Sequence, residues 1–363
     1  MISEDERRTQ RLHFSGSWPS PLTLLALTSH ALRLVRPALC AVLLTLALVQ
    51  AASAQAPRGS VDSVSFWSQA LGITKRYVIY LPPSYRHDAA RRYPVAYYLH
   101  GGAGDETNWT SRAGLHHIVD SLIAGGMPEL IIVMPDGDDS YYTTWNFLGD
   151  YPGCLKQPPP RRTDETVEQY CVPWPHYDDY IARDLVAHID STYRTIPDRR
   201  ARGIAGLSMG GYGAVSLAIN YPGVFSAAAS HSGVLTPLLI AYDSATGKAR
   251  YASAPDEVRS LYGAWDVMRW AFGRDTSGWW ARDPGRRAVF QATRTPPVEM
   301  AAFYIDVGTE DRFLNQARAF RDVLVRLRLR PAYVERSGAH DWAYWRANVP
   351  HSLSFLARML SQR

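Results

Sequence analysis

The apolar positions of this chain follow two different periods, and those periods predict its strands and helices. Residues 61–67 and 75–81 alternate apolar and polar side chains, which is typical of antiparallel strands with one face in water. Residues 94–99 and 129–134 are almost entirely apolar, which indicates strands buried on both faces. Three later apolar runs also favour strands: 225–230, 301–307 and 332–335.

Apolar residues recur at helical spacing between these strands, most clearly over residues 177–193. Other segments that favour helices are 115–123, 314–327 and a closing stretch that runs through 360. Residues 138–175 and 235–298 follow neither period, which predicts two irregular insertions over a cleft. Because strands alternate with helices, the fold class is predicted to be α/β, with a mostly parallel central sheet and helices on both faces.

Composition adds little that is specific. The 363 residues are 46% hydrophobic and 20% charged, as in an ordinary globular protein with a large core. The formal net charge of +5 is spread without a Lys/Arg block, so no nucleic-acid partner is predicted. The 21 Tyr and 11 Trp suit a cleft that grips aromatic or sugar rings, and they suit a large core equally well.

The N-terminal segment has the pattern of an export signal. Arg33 and Arg36 precede an apolar run over 38–49, and small residues follow at 51–56. This order of basic flank, short apolar run and small-residue exit predicts a secretory signal peptide and a secreted or periplasmic protein. The run is short for a membrane span, so no stable span is expected after cleavage, and a retained anchor is the alternative.

The chain is therefore divided into a signal region, residues 1–56, and a single domain, residues 57–363. Met1 and Met127 have no methionine between them, which suggests that the start is placed too far upstream and that translation begins nearer Val35. After removal of the signal, two cysteines remain, Cys154 and Cys171. In an exported protein an even pair is a disulfide candidate, and free buried thiols are the alternative.

The stretch at residues 203–213 carries the strongest chemical signal. It is a short apolar strand, a sharp turn and a glycine-rich helix start, and Gly206, Ser208 and Gly210 match G-x-S-x-G. A serine at such a turn has strained dihedrals, and its neighbours must lack a Cβ to avoid the adjoining strand and helix. Ser208 is therefore the candidate nucleophile.

A serine nucleophile needs a base and an acid that orients the base. Both are expected on loops after later strands, at the carboxyl edge of the sheet. The loop at 308–311 supplies the acid, where Asp311 is preferred over Asp306 and Glu310, and the loop at 338–340 supplies His340 as the base. The chain order serine, acid, histidine is the one typical of this class of sheet.

The oxyanion that forms during acyl transfer needs two backbone donors. The N–H of Met209, directly after the nucleophile, is one candidate, and Gly102 in the His-Gly-Gly loop is the other. Trp145 and Trp342 are candidates for substrate binding, with core packing as the alternative. The remaining candidate side chains are predicted to be structural, with no metal site: His100, His231 and the turn residues Asp136, Asp138 and Asp139.

Together these motifs resemble the esterase D group of α/β-hydrolases, which includes S-formylglutathione hydrolases, feruloyl-esterase domains and the antigen 85 mycolyltransferases. The resemblance extends from Val61 to Leu360. It is carried by five segments: Leu99-His100-Gly101-Gly102, Met134-Pro135-Asp136-Gly137, Gly206-Leu207-Ser208-Met209-Gly210-Gly211, Gly308-Thr309-Glu310-Asp311 and His340-Asp341-Trp342.

The resemblance implies an α/β-hydrolase fold and hydrolysis of a carboxylic ester through an acyl-enzyme, without a cofactor. The expected partner is a small-molecule or glycan-linked ester, of feruloyl or acyl-sugar type; the oligomeric state is left open. Mycolyltransferases are expected to use a Glu acid, so Asp311 fits the esterases better, and export argues against S-formylglutathione hydrolysis, which belongs to the cytoplasm. Acyl transfer with the same residues and a non-catalytic binding protein are the alternatives.

Overall fold

A computed structural model of the chain describes residues 58–144, 151–156, 166–167, 171–262, 265–296 and 298–361. Residues 57–363 form one compact unit. Among the residues described, no helix is long and apolar enough to cross a membrane. The signal region, Trp145 and the side chain of Cys154 lie outside the described residues.

An eight-stranded sheet forms the centre of the domain. Its strands are β1 (Ser60–Ser68), β2 (Ile73–Leu81), β3 (Val95–Leu99), β4 (Ile131–Pro135), β5 (Arg202–Leu207), β6 (Ala227–His231), β9 (Ala302–Gly308) and β10 (Ala332–Arg336); β7 (Leu239–Asp243) and β8 (Lys248–Tyr251) form a separate hairpin. The strands lie side by side in the order β1-β2-β4-β3-β5-β6-β9-β10. β3, β4, β5, β6, β9 and β10 run parallel, and β1 and β2 form an antiparallel edge.

Helices cover both faces of the sheet. They are α1 (Asn108–Ser111), α2 (Leu115–Ala124), α3 (Tyr151–Lys156), α4 (Tyr177–Asp179), α5 (Val186–Thr192), α6 (Met209–Asn220), α7 (Trp265–Phe272), α8 (Thr276–Ala281), α9 (Pro284–Ala292), α10 (Leu314–Arg326) and α11 (Trp342–Ser361). A π-helical segment, Tyr180–Leu185, joins α4 to α5 in one continuous rod. Short 3₁₀ turns lie at Pro83–Arg86, Arg199–Ala201 and Pro255–Leu261.

Alternate residues of each central strand enter two separate cores. In β3, Tyr97 packs with α6 and the α4–α5 rod, while Tyr98 packs with α2 and α11 on the opposite face. Because successive strand side chains point to opposite faces, an all-apolar run is what a strand between two helical layers requires. This explains why β3 and β4 show no apolar–polar alternation.

The structure confirms the predicted α/β-hydrolase architecture, including the antiparallel edge and the mostly parallel sheet. The prediction that residues 235–298 are irregular is wrong, because they contain the β7–β8 hairpin and three helices. Side-chain caps begin two of these helices: Asp275 accepts hydrogen bonds at the start of α8, and Asp283 does so at the start of α9. Their short length hides the helical period that longer segments show.

Candidate active site

The candidate nucleophile lies in a strained turn between a central strand and the helix that follows it. Ser208 comes directly after β5 and directly before α6, with a φ of 52° and a ψ of −115°. A non-glycine residue with a positive φ stores backbone strain, which folded proteins keep mainly at functional sites. Ser208 is partly exposed, although the residues on either side of it are buried.

Two glycines make this turn possible, because neighbouring backbone segments pack too closely at these positions to leave room for a side chain. A Cβ added at Gly206 would lie 2.3 Å from the carbonyl carbon of Gly210. A Cβ added at Gly210 would lie 2.4 Å from the carbonyl oxygens of Leu99 and His100. No side chain fits at either position unless the backbone moves, so the G-x-S-x-G spacing follows from how tightly β5, α6 and the end of β3 pack.

The loops that carry the acid and the base are held together by their backbones. The N–H of Thr309 donates to the carbonyl of Arg336 at 2.8 Å, and the N–H of Glu310 donates to the carbonyl of Gly338 at 3.0 Å. A Cβ at Gly308 would lie 2.1 Å from that same Gly338 oxygen. The glycine therefore allows the loop after β9 to lie directly against the loop after β10, which places acid beside base.

The three side chains meet in hydrogen-bonding geometry. The Nε2 of His340 lies 2.9 Å from the Oγ of Ser208, and its Nδ1 lies 2.9 and 3.1 Å from the two carboxylate oxygens of Asp311. An ionised carboxylate only accepts hydrogen bonds, so Nδ1 carries the proton and Nε2 presents its lone pair to the serine hydroxyl. This is the tautomer that a general base requires.

Two aromatic rings fix the orientation of the imidazole. The ring centroids of Phe313 and Trp345 each lie 5.0 Å from that of His340, at interplanar angles of 85° and 87°. Edge-to-face contacts of this kind restrict rotation of the histidine ring about its side-chain bonds. Neither ring is among the site residues predicted from the sequence, although Trp345 lies three positions after Trp342 and hence on the same face of α11.

Burial and hydrogen bonding act on Asp311 in opposite directions. Burial alone would raise the pKa of its carboxyl, but hydrogen bonds from His340 and from the backbone N–H of Phe313, together with the histidine charge, hold that pKa below its usual range. Asp311 is therefore ionised over the whole range in which a histidine titrates, so it can stabilise an imidazolium.

The rejected acids lie elsewhere. Asp306 is fully buried and pairs with His231, whose Nδ1 lies 2.9 Å from a carboxylate oxygen and whose Nε2 lies 2.8 Å from the Oγ of Ser352. Glu310 is exposed and is not among the partners of His340. The structure thus brings together the three residues chosen from the sequence and places His231 in the core.

The turn after β4 is a buried ionic network. The ammonium of Lys75 lies 2.8 Å from Asp136 and 3.0 Å from Asp138, and the hydroxyl of Tyr177 donates to Asp138 at 2.6 Å. Burial raises the pKa of the Asp136 carboxyl, but the Lys75 charge and the His100 side chain lower it well below its usual range. Lysine thus supplies the positive charge that these carboxylates need.

No group of three His, Cys, Asp or Glu side chains in the described ranges is arranged to hold a metal ion. Asp139 is also engaged, since its Oδ1 accepts the backbone N–H of Ala103 at 2.5 Å.

His100 is buried, with Nδ1 donating to the carbonyl of Gly101 at 2.8 Å and Nε2 accepting from the N–H of Gly137 at 2.9 Å. Both of its ring nitrogens serve to hold the His-Gly-Gly loop against the turn after β4.

The two candidate oxyanion donors border the same cleft as the serine. Gly102 and Met209 both line it, and no acceptor in the described part of the chain engages either backbone N–H. Ala103 is the next donor in the loop, but its N–H is already bound to Asp139. Met209 follows the serine directly at the N-terminus of α6, where backbone N–H groups are free to bind negative charge.

A cleft of about 500 Å³ opens above Ser208. Trp342 lies in its wall, in edge-to-face contact with Trp345 at a centroid distance of 5.4 Å. Tyr141 and Tyr262 also line it, one from each insertion. Both tyrosines lie in the insertions that the sequence predicts over the cleft, but no local pattern singles them out, because each reaches the cleft through long-range packing.

Two predictions fall partly or wholly on residues that are not described. Trp145 lies outside the described ranges, so its proposed contact with substrate stays a prediction. Cys171 is buried, but the side chain of Cys154 lies outside the described part, so the Cys154–Cys171 disulfide stays a prediction as well.

Two relatives and one solved structure are similar to this chain. An acetyl esterase from Caldicellulosiruptor saccharolyticus is 23% identical over 264 residues, covering 72% of this chain and 83% of the relative. An esterase from Mycobacterium tuberculosis is 32% identical over 169 residues, 46% of this chain but only 31% of that longer relative. A ferulic acid esterase structure, at 22% identity, aligns with a TM-score of 0.62 over 84% of this chain and 99% of its own.

The match to a family model covers most of the domain. The model named Esterase, described as "Putative esterase", matches residues 68–356. That range begins in β1, ends in α11 and contains all three residues of the candidate triad. The similarity to the esterase D group is therefore confirmed, and the chain belongs to the Esterase family of α/β-hydrolases and is a carboxylic ester hydrolase.

Proposed function

We propose that this protein is an exported serine carboxylesterase that works through an acyl-enzyme on Ser208. The observation that carries the proposal is the chain of contacts from Asp311 through His340 to Ser208. His340 Nδ1 lies 2.9 Å from Asp311 Oδ2, and His340 Nε2 lies 2.9 Å from Ser208 Oγ. His340 Nε2 takes the hydroxyl proton as the serine oxygen attacks the ester carbonyl. The N–H groups of Met209 and Gly102 hold the resulting oxyanion.

The intermediate collapses when the carbon–oxygen bond to the alcohol breaks. His340 gives its proton to the departing alcohol and leaves an acyl group on Ser208. His340 then takes a proton from water, and the hydroxide attacks the acyl carbonyl through a second oxyanion. When the bond to the serine oxygen breaks, that oxygen regains the proton and the carboxylic acid leaves.

The substrate is proposed to be a feruloyl or acyl-sugar ester. The similarity to an acetyl esterase and to a ferulic acid esterase supports this class. The aromatic lining of the cleft, with Trp342 and Tyr262 in its walls, suits a planar acyl group or a sugar ring. Export is proposed from the basic, apolar and small-residue pattern over residues 33–56.

The acyl-enzyme on Ser208 is tested by labelling with a fluorophosphonate and by pre-steady-state kinetics on p-nitrophenyl acetate. The wild-type chain is expected to take one label on Ser208 and to release a burst of about one p-nitrophenol per enzyme. Ser208→Ala should lose both signals. Ser216→Ala, two turns further along α6, is the matched control and should keep both. A Ser208→Ala variant that keeps the wild-type rate would refute the proposal.

Export has its own test. The N-terminal residue of the protein recovered from the periplasm or the culture medium should lie close to Pro57. Protein found only in the cytoplasm, or exported protein that retains residues 33–49, would contradict the signal-peptide proposal without affecting the catalytic one.

A further inference from the structure

Two arginines border the active-site cleft, and in the described part of the chain neither is paired with a carboxylate. Arg112 and Arg312 both line it and both are exposed. Neither has an ion-pair partner among the residues that the structure describes, although other arginines do, such as Arg318, which lies 2.7 Å from Glu335. Among the described residues, Asp139 is the carboxylate that lines the cleft with them, and it is bound to the N–H of Ala103.

The position of Arg312 ties it to the catalytic histidine. It lies between Asp311, which is buried against His340, and Phe313, whose ring packs against the same imidazole. The guanidinium carbon of Arg312 lies 5.0 Å from the Phe313 ring centroid. Because both neighbours in sequence are held by the histidine, the backbone of Arg312 is fixed while its charged end is free to meet a ligand.

Arg112 lines the same cleft beside the two tryptophans of α11. Its guanidinium carbon lies 5.8 Å from the ring centroid of Trp342, which in turn contacts Trp345. The ring of Trp345 is in edge-to-face contact with that of His340. The two guanidinium groups are thus carried by different elements, one after α1 and one after β9.

From this arrangement we infer that the physiological substrate is an ester that carries an anionic group, such as a carboxylate, and that Arg312 and Arg112 bind this group. The inference rests on the proposed function and narrows its substrate class. Arginine presents a planar set of N–H donors that matches a carboxylate, and such charge-assisted hydrogen bonds are stronger than neutral ones. The free N–H groups at the start of α6 add to the positive potential.

The test compares ester pairs that differ in one charge. Mono-p-nitrophenyl adipate and its methyl ester place or remove a carboxylate on the acyl side. The anion 4-acetoxybenzoate and its neutral methyl ester do the same on the alcohol side. The measured quantity is the ratio of kcat/KM for the anionic ester to kcat/KM for its neutral partner.

For at least one pair, the wild-type ratio should fall about tenfold in Arg312→Gln or Arg112→Gln. Arg312→Lys and Arg112→Lys keep the charge but lose the planar set of donors, so the ratio should fall less than in the Gln variants. Added salt should reduce the wild-type ratio, because exposed charges are screened. Arg86→Gln is the control, since this exposed arginine follows β2 at the opposite edge of the sheet.

The outcomes separate this inference from the proposed function. A chain that hydrolyses neither member of either pair contradicts the proposed function. A chain that hydrolyses the neutral esters but whose ratios do not change in any arginine variant overturns the inference alone. A lower ratio in the acyl pair, or in the alcohol pair, supports the inference and shows which part of the substrate carries the charge.

Discussion

Asp283 is a buried acid whose replacement should stabilise the protein. Its Oδ1 caps α9 by accepting the N–H of Arg286 at 2.9 Å, while its Oδ2 has no hydrogen-bond partner in the described part of the chain. Burial raises the pKa of this carboxyl from 3.8 to about 6, against the lowering effect of the backbone N–H groups and the charge of Arg286. The folded state therefore disfavours the ionised form.

The size of the effect follows from this shift. An acid with a higher pKa in the folded chain holds more protons there than in the unfolded chain, so the free energy of unfolding falls as the pH rises. The loss begins above 3.8 and is complete above about 6. A shift of about two pKa units corresponds to about 3 kcal/mol, which is an upper bound for a single group.

Asp283→Asn removes the charge and keeps an oxygen that can cap the helix. In urea unfolding, the variant should match the wild type near pH 4 and become more stable by up to about 3 kcal/mol near pH 8. Asp275→Asn is the matched control: Asp275 caps α8 in the same way, but it is exposed and hydrogen bonds lower the pKa of its carboxyl. A gain that does not grow with pH, or one that the control shares, would refute the reasoning.

Three further predictions concern the site and its support. Asp311→Asn should lower kcat on p-nitrophenyl acetate by about 10⁴-fold, because the amide favours the wrong tautomer of His340, while the melting temperature should change little. In the wild type the pKa of Asp311 lies below its usual range, so protonation of Asp311 should not lower kcat/KM above about pH 4. Gly210→Ala should lower the free energy of unfolding by about 1–3 kcal/mol and reduce fluorophosphonate labelling. Gly223→Ala is the control and should do neither, because a Cβ added there meets nothing within 4 Å. Lys75→Met leaves two carboxylates buried without their cation and should cost about 3–5 kcal/mol in urea unfolding, so a variant as stable as the wild type would contradict the account of that network.

The nucleophile turn and the chain order of the triad could be predicted because their causes are local. Strain at Ser208 requires glycine at two fixed positions, and that requirement appears directly as G-x-S-x-G. The acid and the histidine follow strands that are themselves visible as apolar runs. Parallel strands bring their carboxyl ends to one edge of a sheet, so the meeting of the two loops also follows from sequence.

The rest of the cleft depends on long-range packing, which leaves no local trace. Tyr262 reaches the site from the second insertion, where it stacks on Phe313 at a centroid distance of 5.8 Å. Its hydroxyl donates to the carbonyl of Pro237 and lies 3.0 Å from the side-chain nitrogen of Gln316. Nothing in the sequence around Tyr262 indicates these partners, since they are set by how the hairpin and α10 pack.

The second insertion contained signals that were visible but weak. The β7–β8 hairpin turns at Gly247, which has a φ of +69° and follows Asp243 at the interval of a short turn. Pro284 stands at the first position of α9, directly after its capping aspartate. Each signal marks an element of only a few residues, and such elements are not distinguished from loops by periodicity alone.

The buried His231–Asp306 pair supports the elements that carry the triad. The carbonyl of His231 accepts the N–H of Ser208 at 2.9 Å, so β6 supports the nucleophile turn directly. Asp306 lies in β9, the strand that leads to the catalytic acid, and Ser352 lies in α11, the helix that follows the catalytic base. One buried hydrogen-bonded set therefore joins the elements that carry serine, acid and base. Because its members are almost fully shielded from water, their hydrogen bonds face little competition from solvent. The alignment of serine, acid and base is therefore supported from within the core.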